Sequence, residues 1–304
     1  MEIPVIDLKA LDGEKRTEAM AQLHETCEKW GFFWVKNHGI DESLMEKVKD
    51  FVNCHYEKHL EKSFFGSDLA KVLGPKTNPS EVDWESTYFL QHHPKSNIED
   101  FPEIGAKFRK FNQCDSETVE IYIHQLTKVA EKLAEGLSEN LGLAKDHIKK
   151  TFSPPFIGTK IAKYPHCPDP ELVFGLRAHT DAGGIILLLQ DDTVPGLEFY
   201  KDGMWVPVTP NKDYKIFVNL GDQVEIMSNG IYKSILHRVR TEKEGCRLSI
   251  ATFYNPGANA VIKPDAKLLY PGGYQFQEYL AYYQGTKFGD KAARFQAIKQ
   301  MFSK

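Results

Sequence analysis

His179, Thr180 and Asp181, followed 56 positions after the aspartate by His237, bring two imidazoles and one carboxylate into one candidate arrangement. This is the ligand set of a non-haem Fe(II) oxygenase, in which three positions stay open for other ligands. Successive side chains of an extended segment point to opposite sides, so His179 and Asp181 share a face and His237 can close it from a second strand. A His-x-Asp pair is also a common surface pattern, a histidine beside a turn aspartate. The surrounding residues must decide between the two.

Strand alternation extends the face. Arg177 stands two residues before His179 and should lean the same way, placing a guanidinium near the metal,. Arg247 and Ser249 are also two apart, ten positions and more beyond His237, and together suit a carboxylate,. Lys160 and Tyr164, on a third strand, add a cation and a hydroxyl. Each has a plainer reading: strand arginines usually pair with surface carboxylates, Lys160 could face solvent, and Tyr164 could be a core aromatic. His92-His93 and His55-x-x-x-His59 lack a carboxylate in the required pattern and read as surface residues. Gly183-Gly184 reads as close packing beside the metal, because no helix follows to bind phosphate,.

The elements that must position these residues fall into two styles. In the first third, Ile3–Asp7 reads as a strand. Met20, Leu23, Cys27 and Trp30 mark a helix stopped at Gly31, Phe32–Val35 a second strand, and Ser43–His59 a second helix,. Residues 64–100, with Gly66, Gly74, Pro75 and Pro79, read as irregular. Val119, Ile123, Leu126, Val129, Leu133, Leu137 and Leu141 predict a long helix from about Ser116, ended by Gly142,. From Ile157 to Pro256 short β segments alternate with turn signals, including Asp202-Gly203 and Asn229-Gly230, which predicts a jelly roll,. Helical spacing returns after Gly273 with Tyr279, Leu280, Tyr283, Phe295, Ile298 and Met301.

Composition excludes other classes. With 41% hydrophobic and 26% charged residues the chain can build a large core and is not a disordered one,. Lys plus Arg total 38 against 42 Asp plus Glu, a net charge of -4 without a basic run, so no nucleic-acid partner is expected,. Five cysteines at scattered spacings suit a reducing compartment,. Met1–Pro4 has no leader character, and the longest apolar run, Ile185–Leu189, cannot span a bilayer, so a cytoplasmic protein without a membrane partner is expected,. One compact unit, acting as a monomer, is the expectation.

The run Leu176–Asp192, with Asp83–Thr87, Asn219–Asp222, Tyr232–Arg238 and Phe253–Gly257, resembles the plant 1-aminocyclopropane-1-carboxylate (ACC) oxidases over nearly the whole chain. The wider plant 2-oxoglutarate dioxygenases share the metal set and the Arg-x-Ser pair. The resemblance implies a mixed α and β fold, a double-stranded β-helix (jelly roll) core with flanking α-helices. It implies an N-terminal region over 1–152, of the non-haem dioxygenase type over about 3–103 plus a long helix 116–141, a core over 153–257 and a helical segment over 258–304. The implied reaction takes ACC, O₂ and ascorbate to ethylene, CO₂, cyanide and dehydroascorbate at Fe(II), with bicarbonate or CO₂ as activator. His179, Asp181 and His237 would hold the metal. Arg247, Ser249 and Tyr164 would hold a carboxylate, and Lys160, Arg177 and Arg294 the activator or ascorbate, with Ile186, Asn219 and Phe253 as pocket walls. The chain departs from the family at Ala292-Ala293 and Gln296, where an acidic residue, a proline and a glutamate are usual, and at Ala162-Lys163 in place of Ser-Asn. These departures bear on activation and turnover. The alternatives are a 2-oxoglutarate-dependent oxygenase of a small molecule and a catalytically silent metal-binding homologue.

Overall fold

The computed structural model describes residues 2–71, 82–97, 114–210, 212–264 and 273–301. Strand β1 (Val5–Asp7) is followed by the helix Arg16–Lys29, β2 (Phe32–Lys36) and the helix Glu42–His55, close to the predicted bounds. The first helix buries Met20, Leu23 and Cys27. It stops at Gly31, which has φ +72° and sits where a Cβ would lie 2.2 Å from the Lys233 carbonyl oxygen. Only glycine meets both conditions.

The remaining strands are β3 (Ser86–His93), β4 (Phe156–Tyr164), β5 (Phe174–His179), β6 (Ile185–Gln190), β7 (Leu197–Lys201), β8 (Met204–Pro207), β9 (Ile216–Leu220), β10 (His237–Arg240) and β11 (Arg247–Asn255). They form a seven-stranded sheet in the order β1-β2-β9-β6-β11-β4-β3, facing a four-stranded sheet in the order β5-β10-β7-β8. This is the jelly-roll core. Strands β1 and β2 extend the larger sheet, with β2 antiparallel to β9.

The larger sheet is covered on both faces, which explains its apolar strands. On β6, Ile185, Leu187 and Leu189 join the core beneath the helices, whereas Leu188 joins the core between the sheets with Phe199, Phe217 and Val239. The helix Cys114–Asn140 packs along the outer face of β6 and β11 and buries Leu126, Val129, Leu133 and Leu137. Each such leucine contributes roughly 1.5–3 kcal/mol on leaving water. None of the described helices is long and apolar enough to cross a membrane.

Three local expectations give way. Residues 64–100 are not uniformly irregular: Phe64 lies in a helix Glu61–Gly66, Asp68–Lys71 is helical, and Ser86–His93 is β3. As an edge strand paired only with β4, β3 lacks the alternation that a half-buried strand displays,. Gly74, Pro75 and Pro79 lie outside the described residues. Asp202-Gly203 is a hairpin turn with both residues at positive φ, but Asn229-Gly230 instead terminates a helix, Asp222–Met227, Gly230 N–H donating to the Glu225 carbonyl. His55 is buried between Phe51, His59 and Tyr88, and His92 is half-buried against the Thr159 hydroxyl, so neither is a surface histidine. Tyr279, Tyr283, Phe295 and Ile298 are buried on two helices, Phe276–Thr286 and Lys291–Met301. The side chain of Met301, also expected there, lies outside the described residues.

Candidate active site

His179 ends β5 and His237 begins β10, and the two are register partners across the antiparallel pair. Asp181 follows two residues past the strand end. The three side chains offer ligand atoms that all lie within 4.8 Å of one another, and this is the cluster of metal-binding type among the described residues. His179 Nε2 stands 3.8 Å and His237 Nε2 3.6 Å from the two oxygens of Asp181. Each ring is oriented from behind: Nδ1 of His179 donates to the Arg177 carbonyl at 2.8 Å, and Nδ1 of His237 to the Ile235 carbonyl at 3.1 Å. A carbonyl cannot donate, so the proton sits on Nδ1 and the Nε2 lone pairs face Asp181. Burial, then the neighbouring His237, holds the His179 pKa well below its ordinary value, which favours the neutral, metal-ligating form,. Asn219 donates to the second oxygen of Asp181 at 2.8 Å, and the Phe199 ring stacks on His237. The donor set and its supports fit Fe(II).

The cluster opens into a cavity of about 390 Å³ whose walls are mostly apolar. Ile186, Asn219 and Phe253 line it, together with Tyr164, Arg247, Ser249 and Lys160. Arg247 is 2% exposed, pairs in register with Tyr164, and lies with its guanidinium 5.4 Å above that tyrosine ring. One of its terminal nitrogens, Nη2, donates to Gln190 Oε1 at 3.3 Å, while the buried Nη1 has no partner among the described residues. Burial lowers the Arg247 pKa, opposed by Tyr164 and Asp191. A buried cation with an unused donor, in a cavity that the Ser249 hydroxyl also lines, is chemically suited to an anion,.

The other cations are arranged differently from the sequence expectation. On β5 four residues, Leu176 to His179, lie opposite three, Val239 to His237, on β10. This bulge reverses the alternation, so Leu176 rather than Arg177 lines the cavity,. Arg177 instead grips Asp83, with backbone N–H, Nε and Nη2 all donating to its carboxylate, and stacks 3.9 Å from the centroid of the Phe288 ring. Arg294 is not among the cavity-lining residues. It is buried, with its donors on Asp222, Thr180, Tyr279 and the Thr286 carbonyl. Lys160 does reach the cavity, its ammonium held by both oxygens of Glu85 at 2.8 Å. Glu85 and Lys287 were not singled out by sequence reasoning. Lys287 lines the cavity from the C-terminal segment, and burial, then Lys160, lowers its pKa. No strand register points to it. The acidic pair Asp83 and Glu85 stood inside a matching segment without a role.

Most departures from the family pattern point away from the cavity; the exception is Ala162, buried in the core between the sheets and paired in register with Ser249. Ala292, Ala293 and Gln296 are exposed, while Arg294 and Phe295 between them are buried. Lys163 faces the helical layer, donating to Asn53 Oδ1 and the Cys246 carbonyl. Gly183 and Gly184 are required by contact: a Cβ on the first would sit 1.8 Å from Asn255 Oδ1, and on the second 2.2 Å from the Phe152 ring.

Residues 156–256 match the 2OG-Fe(II) oxygenase superfamily model, and residues 3–116 match the model described as non-haem dioxygenase in morphine synthesis N-terminal. The chain is 57% identical to 1-aminocyclopropane-1-carboxylate oxidase 1 of Arabidopsis thaliana, covering 99% of this chain and 96% of that protein. It is 44% identical to 1-aminocyclopropane-1-carboxylate oxidase 3 of Cucumis melo, covering 100% and 96%. Among solved structures, JOX2 in complex with 2OG, Fe and JA superposes with a TM-score of 0.81 at 30% identity, covering 98% of this chain and 89% of that one. The rice dioxygenase for auxin oxidation has a TM-score of 0.76 at 24% identity, covering 97% and 99%, a likeness of fold.

Proposed function

The chain belongs to the 1-aminocyclopropane-1-carboxylate oxidase family of the 2OG-Fe(II) oxygenases, and on that footing we propose that it oxidises ACC to ethylene. The balanced reaction consumes ACC, O₂ and ascorbate and releases ethylene, CO₂, cyanide, dehydroascorbate and water. Four hydrogens, two from ACC and two from ascorbate, reduce O₂ to water. The observation that carries this reading is the placement of the His179, Asp181 and His237 cluster in the same cavity as Arg247 with its unused Nη1. Bound Fe(II) supplies one-electron chemistry and open coordination positions.

The chain's own residues supply geometry and charge. His179, His237 and Asp181 hold the metal through Nε2, Nε2 and a carboxylate oxygen. Arg247 Nη1 and the Ser249 hydroxyl receive a carboxylate, with Tyr164 beneath the guanidinium. Ile186, Leu188 and Phe253 form an apolar wall that suits the cyclopropane ring and keeps water from it. Lys160 and Lys287, which both line the cavity, serve bicarbonate or ascorbate, and Arg177 and Arg294, committed to protein partners, act on those ligands only indirectly. A cytoplasmic site of action, where ascorbate and reduced thiols coexist, fits this chemistry.

Purified protein supplied with Fe(II), ACC, ascorbate and bicarbonate should release ethylene into the headspace. Ethylene no higher than that from the His179→Ala variant would reject the reading. Arg247 and Ser249 could equally hold the distal carboxylate of 2-oxoglutarate, as the neighbouring 2OG complex suggests. Succinate formed from 2-oxoglutarate, without ethylene from ACC, would establish that alternative.

A further inference from the structure

Four polar side chains of the two C-terminal helices, Tyr279, Tyr283, Lys291 and Arg294, reach segments that bear or pack against the metal ligands. Tyr283 donates its hydroxyl proton to the carbonyl of Thr180, the residue between His179 and Asp181. Arg294 Nη2 donates to the Thr180 hydroxyl at 2.5 Å and to Asp222 Oδ2 at 3.1 Å. That same carboxylate oxygen accepts from Thr180 at 3.2 Å and from the Tyr279 hydroxyl at 2.6 Å. The backbone N–H of Asp222 in turn donates to the Asp181 carbonyl at 2.8 Å. Arg294 and Asp222 are 1% and 0% exposed, so this knot has no water to substitute for a lost partner,.

One helical turn before Arg294, Lys291 reaches the other ligand segment. Its ammonium donates to Glu225 Oε2 at 2.6 Å and to the Ser234 carbonyl at 2.7 Å. The Ser234 N–H donates to the same Glu225 oxygen at 2.6 Å, three residues before His237. Residues three apart on a helix lie on one face. A single helix face thus grips the segment carrying His179 and Asp181 and the segment delivering His237.

We propose that the helix Lys291–Met301 is a positioning clamp for the metal centre, Arg294 fixing the strand end that carries His179 and Asp181 and Lys291 fixing the turn that leads to His237. The proposal rests on the reading of that cluster as a metal site. It makes Arg294 a positioning residue acting through Thr180, rather than a ligand for an anion in the cavity. Its three kinds of guanidinium nitrogen are already committed, and a lysine could not serve Thr180, Tyr279 and the Thr286 carbonyl together.

The test uses the full chain with Co(II), whose visible absorption reports ligand geometry and needs no turnover, so its outcome is separate from that of the ethylene assay. Arg294→Lys should bind Co(II) roughly 10- to 100-fold more weakly, the effect of losing a partner that orients a ligand. Its visible spectrum should change while far-ultraviolet circular dichroism stays as in the unsubstituted protein. Lys291→Gln should shift affinity in the same direction. Thr180→Val, which keeps the Arg294–Asp222 ion pair, should reproduce the weaker binding and decides the matter if Arg294→Lys does not fold. Any ethylene that the folded variants form should require the same bicarbonate concentration for half-activation. Unchanged Co(II) affinity and spectrum in Thr180→Val, or a bicarbonate requirement shifted in Arg294→Lys at unchanged Co(II) affinity, would overturn the proposal.

Discussion

The two ends of the cavity are built on opposite plans. At the metal end, on the smaller sheet, each spare polar atom is occupied: the histidine Nδ1 atoms by backbone carbonyls and an Asp181 oxygen by Asn219. At the other end, on the larger sheet, Arg247 is buried as deeply but keeps Nη1 without a partner among the described residues. Satisfied supports make a centre whose geometry is set before anything binds. An unsatisfied buried donor makes a receptor, because the desolvation already incurred is recovered only when an anion arrives. On the proposed function, one end holds the metal and the other recognises the anion.

Substitutions should therefore separate the two ends. The largest effect is expected for His237→Ala, which removes a ligand atom: Fe(II) affinity measured anaerobically should fall by more than the roughly 10- to 100-fold loss typical of a supporting partner, and ethylene formation should vanish. Retained Fe(II) affinity would mean that the cluster is not the metal site. Arg247→Ala should act on the other end. Losing a charge-assisted contact of about 1.5–3 kcal/mol raises the ACC concentration for half-maximal rate roughly 10- to 100-fold, with Fe(II) affinity near that of the unsubstituted protein. Equal losses in both would erase the distinction.

The smallest effect concerns the sheet behind the recognition end. His92 on β3 bonds to the Thr159 hydroxyl, which bonds to Thr252 on β11, on the face opposite Lys160 and Arg247. Burial pulls the His92 pKa from 6.5 down to about 4. The unfolded chain then binds more protons between those values, so stability is complete above pH 6.5 and declines as pH falls toward 4. Denaturant melts should show His92→Gln losing about 2–3 kcal/mol less than the unsubstituted protein across that interval. Parallel curves would show that the imidazole is not kept neutral by the fold.

How much of this was legible depends on the range of the signal. His179, Asp181 and His237 were readable from residue type and the His-x-Asp spacing, although Asp181 lies beyond the end of β5 and not on the strand, and the apolar run Ile185–Leu189 announced a strand covered on both sides,. The strand period of two misplaced Arg177, since a bulge inserts one residue and reverses the face without altering composition,. Edge strand β3 was missed because Ser86–His93 carries no apolar alternation, its pairing with β4 alone leaving little of it to bury. Lys287 lines the cavity and Glu85 holds the Lys160 ammonium, yet the two stand 202 positions apart and are brought there only by packing, so no local pattern marks them.

By itself the chain determined the chemistry available: two imidazoles and a carboxylate at metal-ligand spacing, an Arg-x-Ser pair, and a jelly roll to carry them, because these follow from residue type and local periodicity. Tertiary structure alone decided which cations meet the cavity. Arg177 and Arg294 are drawn to Asp83 and Asp222, and Lys160 stays at the wall beside Glu85. Pairing of charges across long sequence separations is set by which elements pack together, and a buried cation goes to whichever carboxylate packing brings within reach.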